Sequence, residues 1–436
     1  MRKLALLASV CLALPCYSLP TTFDLRDVSG KKLVSAVKSQ SGGTCWTHGT
    51  MAAIEGNLLL TGAWNSNGET GEPNLAEYHL DWWNGFNRNY NADIAPTTAG
   101  LTVHEGGDYR VAAAYLARGG GVVRDSDGQS FSNAPSQTSA NYHYYFVRDI
   151  EWFDSGPNLE NIDQLKQAIT ENGVMGTALT WSSSYYNSSK NTFYQPASST
   201  ADPNHAVAIV GWDDGKITQA SKPGAWLAKN SWGSDWGQGG YFWISYYDKI
   251  TGHHPQMGAV SFKNTEPMHF NQVYTHDYHG WRDTKAGVTQ AVNKFIGKGS
   301  DHGRELLKSV GFYTAADNVE YSVKVYNSFD GTQLTEMLSI KDGIQAHQGF
   351  HTVDLNFPVV LAAGDDFYIS VELSSGGHPF DKTSDVPVLL GGGTRTIVES
   401  KANAGESYYL TASGWKDLTK DEASANFCIK GFSTME

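Results

Sequence analysis

Gln40-Ser-Gly-Gly-Thr-Cys45-Trp46 decides how the rest of the chain is read. It sets a cysteine at the start of a helical pattern. Trp46, Met51, Ala52, Ile54, Leu58 and Leu59 recur at helix-like offsets until Thr61-Gly62. A thiol at a helix N-terminus is biased toward thiolate, the form that attacks a carbonyl. Such a nucleophile needs a base and a group to orient the base. Two later stretches offer them: Asn204-His205-Ala-Val207 opens an apolar run with a histidine, and Lys229-Asn230-Ser-Trp232-Gly233 carries a side-chain amide. Each motif alone has a plainer reading, as core packing, a structural histidine or a turn. All three in this order, each in its own local context, argue for a Cys45/His205/Asn230 catalytic set.

The chain has 436 residues, 40% hydrophobic and 18% charged, enough for two or three domains with real cores. Its net charge of -13 and the lack of a basic run exclude a nucleic-acid footprint. Met1-Arg-Lys3 and an apolar run from Leu4 to about Pro15 read as a signal peptide over residues 1–18, ending at Ser18. The run is too short to span a bilayer, and no later transmembrane segment follows. A secreted or periplasmic location is expected. Of the four cysteines, Cys45 and Cys428 remain after the signal. A nucleophile cannot be locked in a disulfide, so Cys428 is expected as a buried, inert thiol.

Further helices are expected from Leu75 to Trp83, from Asp108 to Arg118, and around Ile162, Leu165 and Ile169, closed by Asn172-Gly173. Short apolar runs at Val174–Thr180, Ala206–Trp212 and Gly240–Tyr246 read as strands. Helices first and strands later give an α+β class for residues 19–264. From about Pro267 the pattern alternates, as in Tyr321-Ser-Val323-Lys-Val325 and Phe367-Tyr-Ile369-Ser-Val371. Residues 265–436 are expected as a separate all-β sandwich. Two long polar stretches, Asn84–His104 and Ser182–Asn204, are expected as surface loops and as candidates to cover a cleft.

The first domain resembles a papain-family (C1) cysteine peptidase. Val37-Lys-Ser-Gln40 with Cys45-Trp46 resembles the nucleophile region. His205-Ala-Val-Ala-Ile-Val-Gly-Trp212 resembles the histidine strand, and Asn230-Ser-Trp-Gly-Ser-Asp-Trp-Gly237 the asparagine region. Phe23-Asp-Leu-Arg-Asp27 resembles the mature N-terminus. The resemblance implies a two-lobed fold and gives Cys45, His205 and Asn230 their roles. It further implies Gln40 as an oxyanion donor, Trp232 as a shield over the His–Asn hydrogen bond, and Trp46 as support beside the nucleophile. Gly106-Gly107 would pair with the substrate backbone, and Ala178 and Ala206 would border an apolar pocket. No cofactor and no metal are implied, and His253-His254 lacks a ligand set. Three features depart from the family pattern. Four residues instead of five separate Gln40 from Cys45, the cysteine preceding the nucleophile is missing, and His48 replaces an aromatic residue.

The second domain resembles the lectin-like sandwich found after some bacterial and archaeal C1 domains. That resemblance implies glycan or surface contact as one partner class, beside protein or peptide substrates. The expectation is an exported cysteine peptidase, an endopeptidase working through an acyl-enzyme. The alternative is a catalytically weak or inactive adhesion or binding protein on a peptidase scaffold.

Overall fold

A computed structural model describes residues 18–436 apart from 96, 98, 300–302 and 390–394. The signal-peptide expectation thus lies outside the described residues, Ser18 excepted. The helices form where the apolar spacing puts them. Cys45–Thr61 is helical and ends on Gly62 at φ 73°, a left-handed residue that closes a helix without a Cβ penalty. It is buried from Cys45 to Leu58, so its polar side chains must find partners inside the protein. Glu77–Trp83, Tyr109–Ala117 and Ile162–Asn172 follow. Asp108 caps the Tyr109 helix by accepting from the Val111 amide.

The strands Met175–Leu179, His205–Asp213, Ala225–Lys229 and Tyr241–Ser245 lie side by side, antiparallel, in that order. All eight residues from His205 to Trp212 are buried, which explains why the run reads as continuously apolar rather than alternating. With helices on one side and antiparallel strands on the other, the α+β reading holds. The C-terminal part is the expected all-β sandwich. One face is a six-stranded sheet in the order Leu334–Gln345, Val319–Phe329, Asp366–Leu373, Gln290–Ile296, Ser407–Thr411 and Gly414–Asp417. Val323, Ile369 and Val371 from this sheet meet Leu307, Val310 and Phe312 of the opposing strand in one core.

The two halves are joined through a shared sheet. Ala259–Pro267 is a single strand and runs through the expected boundary at 264. It pairs with Tyr144–Phe153, Phe262 opposite Ile150. The other edge of Tyr144–Phe153 takes the sandwich strand Gly349–Leu361, Phe350 opposite Ile150 and His351 opposite Asp149. One 14-stranded sheet therefore joins both halves. Phe146 packs on Phe432 with ring centroids 5.1 Å apart. Arg148 bridges Glu266 at 2.9 Å and Asp354 at 2.6 Å. Hydrophobic alternation marks strands but does not say which edges meet, so this junction is silent in the sequence.

One element stands apart from both large sheets. Among the described residues, Ser384–Pro387 and Arg395–Val398 pair only with each other, as a two-stranded hairpin. It belongs to the second half of the chain. Yet Val386, Leu389 and Val398 sit in the same buried cluster as Cys45 and Trp46.

Candidate active site

Cys45 is the first residue of its helix, and His205 the first of its strand. His205 Nε2 is 2.8 Å from Asn230 Oδ1, which leaves Nδ1 as the ring nitrogen free for the thiol. The Asn230 oxygen also accepts from the Ser231 amide at 2.8 Å, so the side chain is fixed from two sides. Trp232 stacks on His205 at 4.5 Å and 24°, and Trp181 and Trp236 close around Trp232. This aromatic wall keeps water off the His205–Asn230 bond, where a low local dielectric strengthens it. Trp181 was not singled out from sequence. It is held by Asn204, whose side chain accepts from the Trp181 amide at 2.6 Å and donates to its carbonyl at 3.1 Å.

The nucleophile loop is tied down without a disulfide. Lys38 donates to Glu55 at 2.7 Å and Glu77 at 2.6 Å, which clamps the approach to Gln40 against two helices. Burial works against the Lys38 charge, but the two carboxylates outweigh it and raise its pKa. Gly42 has φ 67°, and a Cβ there would lie 2.8 Å from the His104 carbonyl oxygen; glycine alone fits. Gly43 donates to that same oxygen at 2.7 Å. The His104 ring is held at both nitrogens, by Asp81 at 2.5 Å and the Phe131 carbonyl at 2.8 Å. The Ser41 amide donates to the Tyr78 hydroxyl at 3.1 Å. Asp81, His104 and Tyr78 were missed because each lies in an unremarkable helix or loop context. His48 Nδ1 meets the Thr44 carbonyl at 2.8 Å, a bond within its own first turn.

Gln40 lies beside this loop, but its amide is turned inward. Nε2 donates to the Gly42 carbonyl at 2.9 Å, and Oε1 accepts from Ser231 Oγ at 2.6 Å. Trp46 packs under Gly107, where a Cβ would come within 2.6 Å of the indole. Ala178 and Ala206 face each other across neighbouring strands and are both buried. Gly106 and Gly107 are buried as well.

The residue against the thiol comes from the far end of the chain. Leu389 N donates to the Gly107 carbonyl at 3.1 Å, and the Cys45 Sγ to Leu389 O distance is 3.9 Å. Neither Asn84–His104 nor Ser182–Asn204 takes this place. The first carries the hairpin from beneath, and the second adds Thr192–Phe193 to the sheet edge beside Tyr241–Ser245. With Leu389 seated, Cys45 is only 2% exposed. Burial pushes its thiol up to about 11, against backbone hydrogen bonds from Ala206, Trp46 and Cys45 itself. Burial likewise lowers His205 to about 4, against its bond to Asn230. The covered pair therefore rests as neutral thiol and neutral imidazole.

Cys428 is the other free thiol, and it is buried. Among the described residues, ligand-type atoms of Asp93, His279 and Asp381 lie within 4.8 Å of one another. They are already spent on the hairpin's base. His279 bonds Ser400 Oγ at 2.8 Å and the Gly85 carbonyl at 3.0 Å. Ser400 Oγ donates to Asp381 at 2.9 Å, and Asp93 accepts from the Lys401 amide at 2.6 Å.

The papain family cysteine protease model matches residues 19–258, and the chain belongs to that family. A lectin-like domain model matches residues 273–433. The probable cysteine protease RD19B of Arabidopsis thaliana is 28% identical over 251 residues, covering 55% of this chain and 62% of the relative. Procathepsin L of Rattus norvegicus is 30% identical over 234 residues, 52% of this chain and 60% of the relative. The chain thus spans about three fifths of the curated relatives it matches. The clostridial cysteine protease Cwp84, solved after propeptide cleavage, superposes with TM-score 0.75 at 25% identity, over 93% of this chain and 97% of that one. A second structure holds the cysteine protease and lectin-like domains of Cwp84, described as a surface layer associated protein of Clostridium difficile. It gives TM-score 0.73 at 24% identity, over 96% and 90%. Both halves of this fold therefore occur together in a solved protein.

Proposed function

We propose that this chain is an exported cysteine endopeptidase that hydrolyses peptide bonds through an acyl-enzyme on Cys45. The observation that carries the reading is the 2.8 Å bond between His205 Nε2 and Asn230 Oδ1 beneath Trp232. It leaves Nδ1 to take the thiol proton, and the strand start lies close enough to Cys45 for the Ala206 backbone N–H to act on the thiol. In an open cleft the imidazole takes the thiol proton. The thiolate attacks the substrate carbonyl carbon, an S–C bond forms, and the carbonyl electron pair moves onto oxygen. The backbone N–H of Cys45 and the Gln40 amide, once it turns from Gly42, stabilise that oxyanion. The C–N bond then breaks, and His205 gives its proton to the leaving amine. Water attacks the thioester with His205 as base, the S–C bond breaks, and carboxylate leaves.

Gly106-Gly107 would pair with the substrate backbone, and Ala178 and Ala206 would border a pocket for an apolar side chain. The lectin-like match supports glycan or surface contact by the second domain, and the apolar N-terminal run supports export. No described helix is long and apolar enough to cross a membrane. The inactive-binding alternative has no feature in its favour, since all three catalytic groups are present and His205 and Asn230 are bonded. The test is an epoxide thiol inhibitor with peptide mapping, beside peptide hydrolysis by Cys45→Ala and Cys428→Ser. Label on Cys45, a loss of about 10³-fold or more in Cys45→Ala and an active Cys428→Ser are expected. An active Cys45→Ala would overturn the reading.

A further inference from the structure

A nucleophile that is 2% exposed cannot meet a peptide, so something over it has to move. The helix under Cys45 is buried core and the His205 strand is central in its sheet, so neither is the moving part. The hairpin is the only cover with that freedom among the described residues. It has two four-residue strands, Ser384–Pro387 and Arg395–Val398, that pair only with each other. A two-stranded ribbon alone is at best marginally stable and draws its order from what it packs against.

Its seat has the form of a peptide-binding site. The Leu389 backbone N–H donates to the Gly107 carbonyl at 3.1 Å, a chain-to-chain bond of the kind an extended peptide makes. Its carbonyl oxygen lies 3.9 Å from Cys45 Sγ. Val386 and Leu389 are 0% and 1% exposed within the cluster that includes Trp46, Ala178 and Ala206. The ribbon is then moored along the 84–104 segment. Thr396 Oγ1 donates to the Gly100 carbonyl at 3.2 Å. Asn91 Nδ2 donates to the Glu399 carbonyl at 2.8 Å, and Thr97 Oγ1 to the Glu399 carboxylate at 2.7 Å. Partners are thus named on both strands' flanks, more than a chance touch of two domains would give.

We propose that residues 384–389 of this ribbon are a built-in peptide ligand of the catalytic cleft, seated through Leu389 with Val386 buried beside it, which keeps the enzyme latent until it is displaced. The inference rests on the peptidase reading of the cleft. A tethered segment faces its site at an effective concentration in the millimolar range, so the block is independent of protein concentration. Only the fraction of molecules with the hairpin out is competent, and apparent affinity for substrate falls by that fraction. The occupant also reports the cleft's preference: an extended peptide with an aliphatic side chain where Leu389 sits.

The experiment uses the full chain with Cys11→Ser, Cys16→Ser and Cys428→Ser, so that Cys45 is the one thiol. Labelling by 2,2′-dipyridyl disulfide is followed in this background and with Leu389→Asp added. A charge at a 1% exposed site expels the segment, and labelling of Cys45 should rise about tenfold or more. Leu389→Ala combined with Glu399→Gln provides a milder release if the aspartate variant does not fold. The peptide acetyl-Val-Pro-Val-Leu-amide should slow labelling of the released variant. Equal labelling rates in the parent and both folded variants would overturn the proposal. Peptide hydrolysis is scored separately. Faster labelling without hydrolysis in the released variant supports the hairpin's role and counts against the peptidase reading alone.

Discussion

The proposed catalytic trio and the hairpin proposed to cover it are built in opposite ways. Cys45, His205 and Asn230 each sit at the end of a regular element whose sequence is locally legible: a helix start, a strand start, and a strand's last turn into Asn-Ser-Trp-Gly. Leu389 reaches the same thiol from 344 residues away in sequence, on a ribbon that belongs to neither large sheet. The chemistry is thus written in short motifs and the access to it in topology. The difference also shows in what holds each part. The trio is braced by buried hydrogen bonds and stacked aromatics, whereas the hairpin rests on loop contacts, three buried aliphatic side chains and the hydrogen bonds at its base. A rigid site beneath a weakly moored cover can be switched without rebuilding the site.

The largest expected effect tests whether the two halves of the molecule are one body. Burial lowers His79 and His205 in the first half to about 4. It lowers His378 to about 4 and His279 to about 3 in the second. In the unfolded chain each returns to its ordinary value near 6.5. Between pH 6.5 and about 4 the unfolded chain therefore binds protons that the folded chain refuses. Stability is fully present above 6.5 and is lost as pH falls, by up to about 1.4 kcal/mol per histidine per pH unit. Thermal unfolding should drop steeply over that window, with tryptophan fluorescence and circular dichroism moving together. The shared sheet through Tyr144–Phe153 requires one transition. Two transitions would break the picture of joined halves, and a flat profile down to pH 4 would contradict the neutral burial of these histidines.

The next effect concerns Gln40. Its amide is spent on Gly42 while the hairpin is seated, so oxyanion duty requires it to turn outward. Gln40→Ala should lower kcat about 10- to 10³-fold with little change in KM. A kcat within twofold of the parent, measured in the Leu389→Asp background, would leave the Cys45 backbone N–H as the working donor.

Much of the fold was legible. The helix at Cys45–Thr61 carries both its own start and its glycine stop, and the strand runs around His205 and Tyr241 are unmistakably apolar. The Gln40–Cys45 spacing and the missing cysteine were visible as departures, but not what compensates for them. Lys38 with Glu55 and Glu77, and His104 with Asp81, are pairs of polar residues at ordinary positions, and only tertiary proximity gives them a role. The strand across 264 was hidden because the pattern changes near Pro267, although the backbone pairs on through Pro267. Val386-Pro-Val-Leu389 is a short apolar run in a strand-rich half. Nothing local distinguishes such a run from core sandwich, so its seat against Cys45 could not be read from the chain.

The smallest effect probes the brace itself. Gly42 and Gly43 close on the His104 carbonyl, and that carbonyl is fixed because the ring is held by Asp81 and Phe131. His104 also has φ 66°, a backbone conformation that costs energy in a residue with a Cβ and persists only when its surroundings impose it. The hydrogen bond to Asp81 is the main cause that raises the His104 pKa above its ordinary 6.5. The protonated, bonded state therefore supplies its support below 6.5 and loses it as pH rises through the shifted value. Turnover of the hairpin-released enzyme should accordingly decline as pH rises above 6.5 through that shifted value. His104→Gln keeps a hydrogen-bonding side chain but has no charge to lose. It should cost about three- to tenfold in kcat, within the range of one charged hydrogen bond, and it should flatten that alkaline decline while leaving KM nearly unchanged. A merely structural histidine would lower thermal stability and leave the shape of the profile alone. If the decline persists in His104→Gln, the charge that governs the nucleophile loop lies elsewhere, and the Asp81–His104 pair is packing rather than a positioning device.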